Sequence, residues 1–243
     1  VRVGAYGPVW SNLDKLLRDE ESYGREFSRA GEVAAEGLYT VCAQMAPGLA
    51  KLAADLSVDG VLELGTSTGL LEILSGDLPG LGLAGLDRSA AVLEEAKRRA
   101  VQSGSQDICW VKGDLFEPGD WLKDLPAWER GLVFSVHFHE FLAAGRARMI
   151  ETLVELGRQR KGWFVLAMEQ PRFEADQRQE TPEALWLYGQ ANVLIHHLIG
   201  NGLVLSDSEW RSLFEEAGCA RNRVESLEYL GYQAYVYELG ATG

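Results

Sequence analysis

The chain has 243 residues, 47% of them hydrophobic, which is enough to bury one sizeable core and reads as a single domain with an appendage. Its 36 acidic side chains outnumber 23 basic ones, and the charge of −13 is spread without a long run of one sign, so phosphate backbones are repelled and nucleic acid is argued against as a substrate. Cys42, Cys109 and Cys219 are odd in number and widely spaced, which reads as buried reduced thiols, and the absence of a signal-peptide core or bilayer-length apolar stretch makes a cytoplasmic setting without membrane partners the expectation.

The first elements are helical. Ser11 can cap a short helix through Leu13, Leu16 and Leu17. A longer pattern runs from about Tyr23 to Met45 through Phe27, Ala30, Ala34, Leu38 and Val41, and Pro47 is placed to start a further helix through Leu49, Leu52 and Leu56. Residues 1–56 are therefore expected to form a helical lid over the open end of a sheet. Tyr6, Trp10, Tyr23 and Tyr39 either line a pocket there or pack between the helices.

The next stretch organises the chain: Val61-Leu62-Glu63-Leu64-Gly65-Thr66-Ser67-Thr68-Gly69-Leu70 is an apolar run, a small-residue turn and a helix start. Gly65 and Gly69 permit positive φ and close approach of a ligand to the backbone, and the helix start favours a negative group. A phosphate-binding P-loop needs a lysine that is missing here, and a dinucleotide fingerprint needs a different glycine spacing. What remains is E-x-G-x-small-x-G or an ordinary strand-turn-helix. The stretch resembles the first motif of the Rossmann-like (class I) S-adenosylmethionine-dependent methyltransferases, an acid followed by glycines alternating with small residues, with Ser67 standing where a middle glycine is usual. The resemblance implies that Glu63, Gly65, Thr66, Ser67 and Gly69 hold S-adenosylmethionine.

A second strand through Leu81, Leu83 and Leu86 ends at Asp87, with Arg88 next to it. About twenty residues after the loop, such an acid suits hydrogen bonds from a ribose diol, or else complements the start of the helix from Ala90 to Val101 that Ser89 caps. A third strand, Ile108 to Val111, leads to Gly113-Asp114-Leu115, where the resemblance implies a carboxylate beside the adenine amino group and an apolar side chain against the ring.

Leu132 to Val136 reads as a fourth strand that delivers His137-Phe138-His139-Glu140-Phe141 to the carboxyl end of the sheet. If the strand geometry persists, His137 and His139 share one side and Phe138 takes the other. A neutral imidazole there can take a proton from an attacking hydroxyl. By its position just after the strand, His137 resembles the histidine base of some small-molecule O-methyltransferases; His139 is the second choice, with Glu140 or Glu169 in support. Alternatively the histidines bind the cofactor's amino-acid part or pin the loop. His-x-His-Glu can also supply metal ligands, but the helical His-Glu-x-x-His pattern is absent, and no metal is expected.

A helix from about Ala144 to Arg158 and a fifth strand, Trp163 to Met168, end at Glu169. After a polar stretch, a helix from Ala184 to Ile199 is apolar on nearly every face and is either buried or turned toward a partner chain. In the resembled family the insertion here, residues 172–205, helps wall the acceptor pocket, so His196 or His197, with Tyr39 from the lid, is expected to touch substrate. A capped helix from Ser206 to about Ala217 and two strands, Val224 to Leu230 and Tyr232 to Leu239 around Gly231, complete the pattern.

The expected fold is α/β: a doubly wound, seven-stranded, mostly parallel sheet with an antiparallel C-terminal hairpin, residues 57–243, beneath the N-terminal lid. The expected activity is methyl transfer from S-adenosylmethionine to a small organic acceptor, in the first place at the hydroxyl of a secondary-metabolite or polyketide-like molecule. The alternatives are N- or C-methylation on the same cofactor site, with or without a metal, and a non-catalytic binding module. The chain is read as acting alone, as a homodimer, or attached to a larger biosynthetic enzyme.

Overall fold

The computed structural model describes residues 6–241 apart from 19, 21, 27, 29–30, 67–68, 106, 171, 180 and 228–231; the side chains of 31–38 and 175–176 also lie outside the description. In chain order the elements are α1 (Gly7–Ser11), α2 (Leu13–Leu17), α3 (Gly31–Asp55), β1 (Gly60–Leu64), α4 (Leu70–Asp77), β2 (Gly82–Asp87), α5 (Ala90–Ser103), β3 (Ile108–Lys112), α6 (Pro118–Trp121), β4 (Gly131–Ser135), α7 (Phe138–Phe141), α8 (Arg146–Gln159), β5 (Phe164–Glu169), α9 (Glu183–Leu198), α10 (Asp207–Glu216), β6 (Ala220–Ser226) and β7 (Gln233–Glu238), with short 3-10 turns between some of them.

The strands form one sheet in the order β3-β2-β1-β4-β5-β7-β6. The first five are parallel; β7 runs antiparallel to β5 and β6 antiparallel to β7, as the sequence predicts. Strand order reverses between β1 and β4, which opens a crevice at their carboxyl ends. β1, β4 and β5 are buried along their whole length because helices cover both faces. Alternation sorts their side chains: Leu62, Val133, Val165 and Ala167 face α8 and α10, whereas Val61, Phe134, Leu166 and Met168 face α3 and α4. By the same alternation Glu169 stands on the α8 and α10 face and Glu63 on the other.

Several expected boundaries differ. Ser11 ends α1 instead of capping α2, which Asn12 precedes with no side-chain cap, and the helix expected from about Tyr23 begins at Gly31, with Tyr23 in a bridge and residues 24–26 in a turn. Pro47 does not start a new helix but lies inside α3, which is continuous over 25 residues. Its ring is on an exposed position, and the apolar stripe Val41, Cys42, Met45, Ala46, Leu49, Leu52 and Ala53 runs past it on the buried side. Burial of that stripe offsets the ~3 kcal/mol a helical proline costs. The second half of α3 is thus part of the sheet's own core. The penultimate strand begins at Ala220 rather than Val224, because a bulge between Arg221 and Arg223 interrupts the alternation that marks a strand in sequence. The turn expected around Gly231 lies outside the described residues.

The N-terminal helices α1 and α2 make a separate small cluster with α9, in which Val9, Leu16 and Ile195 are buried and Tyr6, Trp10 and Tyr23 pack around them. Among the described residues no helix is long and apolar enough to cross a membrane.

Candidate functional site

A cleft of about 350 Å³ lies at the carboxyl ends of β1 to β3 and is lined by, among others, Gly65, Asp87, Arg88, Asp114, Leu115 and Glu140. Each strand contributes through its own end. Gly65 turns the chain out of β1 at φ +79°, and its N–H donates to the carbonyl of Leu86 on the neighbouring strand (2.8 Å). A Cβ at this position would meet nothing within 4 Å, so the glycine leaves room in the cleft itself. Asp87 accepts from the Ser89 N–H (2.7 Å), and its carbonyl accepts from the Gly113 N–H (3.1 Å), which ties the β2 and β3 ends together. Asp114 accepts from the Phe116 N–H (3.0 Å), while its carbonyl accepts from the Trp121 indole (2.9 Å).

The other cofactor candidates stand back from the cleft. Glu63 is 1% exposed. Thr66 is buried, and its methyl group occupies the space a side chain at Gly85 would need. Gly69, at φ +75°, begins α4 under the ring of Tyr39, and a Cβ there would come within 2.9 Å of that ring. Tyr39 therefore belongs to the loop side of the crevice. Ser67 lies outside the described residues. Phe116, Phe141 and Asn201 also line the cleft; Asn201 is carried in from the far C-terminal side, and nothing local marks it.

On the β4 side the chain does not stay extended. His137 has φ −138° and ψ 51°, and the next four residues form α7. The turn sends Phe138 into the core against Trp210 and Phe214. His139 is 3% exposed, and a single carboxylate holds it twice: the His139 N–H donates to Glu169 Oε1 (2.8 Å), and its Nδ1 lies 2.6 Å from Glu169 Oε2. Where Glu169 accepts, Nδ1 is the nitrogen that donates to it. Glu140, the nearer acid in sequence, instead faces the cleft.

His196 packs edge-on to His139, ring centroids 4.4 Å apart, and its Nδ1 lies 3.2 Å from the Asn201 carbonyl. His197, its neighbour in sequence, is exposed. The segment after α9 is locked onto α7: the Leu203 N–H donates to the His139 carbonyl (3.3 Å), and any side chain at Gly202, which has φ +82°, would overlap that oxygen. The fold thus gathers His137, His139, Glu140, Glu169 and His196 into one group, of which Glu140 lines the cleft, and leaves His197 exposed.

No family profile and no curated protein matches the chain. Solved structures do. PigF with SAH is 18% identical, with a TM-score of 0.63 over 96% of this chain and 66% of PigF. An O-methyltransferase family protein from Burkholderia thailandensis is 15% identical, with a TM-score of 0.68 over 98% of this chain and 70% of that one. Human N-acetylserotonin methyltransferase in complex with SAM is 18% identical, with a TM-score of 0.60 over 95% of this chain and 66% of that enzyme. The chain spans about two thirds of the length of these proteins and has the class I O-methyltransferase fold.

Proposed function

We propose that the protein transfers a methyl group from S-adenosylmethionine to a small organic acceptor, in the first place at oxygen. The cleft residues fit that cofactor: Gly65 leaves open space against the backbone, Asp87 offers a carboxylate to a ribose diol, and Asp114 with Leu115 offers an acceptor and an apolar surface to an adenine. When bound, the cofactor supplies a methyl group already activated on a sulfonium. The protein's remaining task is to align the acceptor and to help it lose a proton.

The observation that carries the assignment is the buried Glu169–His139 pair, directly followed in the chain by Glu140, which lines the cleft. Glu169 holds Nδ1, so in the proposed reaction Nε2 is the His139 nitrogen that acts on the acceptor, through its electron pair. Either direct proton uptake or coordination of a cation uses that pair, and both leave the acceptor oxygen more nucleophilic. We therefore prefer His139 to His137 as the central residue and Glu169 to Glu140 as its support. His196, and not His197, is the histidine of α9 that we assign to the acceptor, and α1 and α2 with α9 form its cover. The setting we assign is cytoplasmic and the partner a small molecule, with the chain acting as a homodimer or within a larger biosynthetic enzyme.

Incubation with methyl-labelled S-adenosylmethionine and a panel of phenolic, enolic and carboxylic acceptors tests this. Label on an acceptor oxygen is expected. Label found only on nitrogen or carbon would move the assignment to the other methyltransferase classes, and cofactor binding without transfer to any acceptor would favour a binding module.

A further inference from the structure

The turn that follows β4 brings three metal-ligating side chains together, and we infer that His137, His139 and Glu140 bind one divalent transition-metal ion at the edge of the cofactor cleft. One ligand atom from each lies within 4.8 Å of the others. Ligands on a single ion at about 2.0–2.2 Å stand up to roughly 4.3 Å apart, so small side-chain rotations close the set. The two imidazoles already approach edge to face, centroids 5.5 Å apart at 87°.

A second, independent feature points the same way. His139 Nδ1 is held by Glu169 at 2.6 Å, which leaves Nε2 as the ligand atom of the inferred site, and Glu169 is itself 3% exposed. A carboxylate behind an imidazole fixes the tautomer, aims the other nitrogen and raises its basicity, which is how histidine ligands of metals are oriented. The backbone N–H of His139 bonds the same carboxylate (2.8 Å), so ring and main chain are positioned as one unit.

Two histidines and one carboxylate on one turn would leave coordination positions open, and this donor set suits Fe(II), Mn(II), Co(II) or Zn(II) rather than calcium or magnesium. Glu140 belongs both to the cluster and to the cleft lining, so the ion would stand where donor and acceptor meet. Its ligand would be an acceptor presenting a carbonyl or ionisable oxygen, which a cation polarises and makes easier to deprotonate. The site's use in catalysis rests on the methyl-transfer proposal; the binding of the ion does not.

The test uses the full chain, freed of metal with chelator and titrated with Co(II), read by visible absorption and by metal content after desalting. Binding of S-adenosylhomocysteine is measured on the same metal-free protein. We expect about one Co(II) per chain, and a loss of affinity of roughly tenfold or more in His137→Ala, in Glu140→Gln and in Glu169→Gln. Uptake that is absent, unchanged by all three substitutions, or accompanied by a thiolate-to-cobalt band overturns the inference. If S-adenosylhomocysteine still binds in that case, methyl transfer stands without the ion. Co(II) uptake with the expected losses, in a protein that does not bind S-adenosylhomocysteine, supports the metal site and defeats the methyl-transfer proposal instead. A folded His137→Ala variant, checked by its melting curve, separates ligand loss from unfolding.

Discussion

The two halves of the sheet hold their polar side chains in opposite ways. On the β1 to β3 side, Asp87 and Asp114 stand half-exposed or exposed around an open cleft, and each is steadied by an N–H two residues further along the chain. On the β4 and β5 side, His139, Glu169 and His196 are almost wholly buried and are held by partners far away in sequence or on another element. A cofactor that must come and go suits open carboxylates that stay hydrated when it leaves. One imidazole held in one tautomer suits burial, where hydrogen bonds are stronger and an unmatched polar group is costly. On the proposed function the difference separates binding from chemistry: substitutions on the first side should act on affinity, those on the second on turnover.

The largest expected effect breaks the second side alone. His139→Ala removes the electron pair that Glu169 aims, and turnover should fall by roughly 10²–10⁴-fold whether that pair takes a proton or ligates an ion. Affinity for S-adenosylhomocysteine should change little, as a calorimetric titration would show. Equal losses in both quantities would erase the division between the halves.

Gly202→Ala attacks the same side through the backbone. Its Cβ would overlap the His139 carbonyl, and its positive φ suits few other residues. A destabilisation of about 1–3 kcal/mol is expected from the denaturant midpoint, with turnover falling further than that loss alone accounts for. An unchanged midpoint would mean that the segment after α9 is not clamped on α7.

The smallest effect concerns the thiols. Burial pushes Cys219 up to about 12 and also raises Cys109, with the charge of Asp124 adding to it, while Cys42 is fully buried. At pH 8 a thiol reagent should therefore label the native chain slowly, at Cys109 first, and all three cysteines at once after unfolding. Rapid labelling of Cys42 or Cys219 in the native protein would show that the helical layers open more readily than their packing implies.

The cleft at the ends of β1 to β3 was legible in the sequence because its signals are local. At each of β1, β2 and β3 a strand end and the glycine or acid that follows it are written within a few residues, and Gly65, Asp87, Arg88, Asp114 and Leu115 line the cleft. The other half depends on contacts that no local pattern records. Glu169 is thirty residues from His139, so the adjacent Glu140 looks like the natural partner until the fold is known. His137 is favoured by its place just after the strand, but the chain turns into α7 there and carries His139 into the buried position instead. His196 and His197 cannot be told apart from an all-apolar helix pattern; in the fold the first is buried against α7 and the second is exposed. Pro47 shows the converse, a strong local rule overruled by an apolar stripe that continues past it.

Titration of the purified chain with S-adenosylhomocysteine, beside Asp87→Ala, tests most directly whether this cleft is a cofactor site. Saturable binding is expected, weakened by roughly 10–100-fold when the carboxylate is lost, the worth of a hydrogen bond to a charged group. No heat with the wild-type chain, or equal affinity in the two proteins, would contradict it.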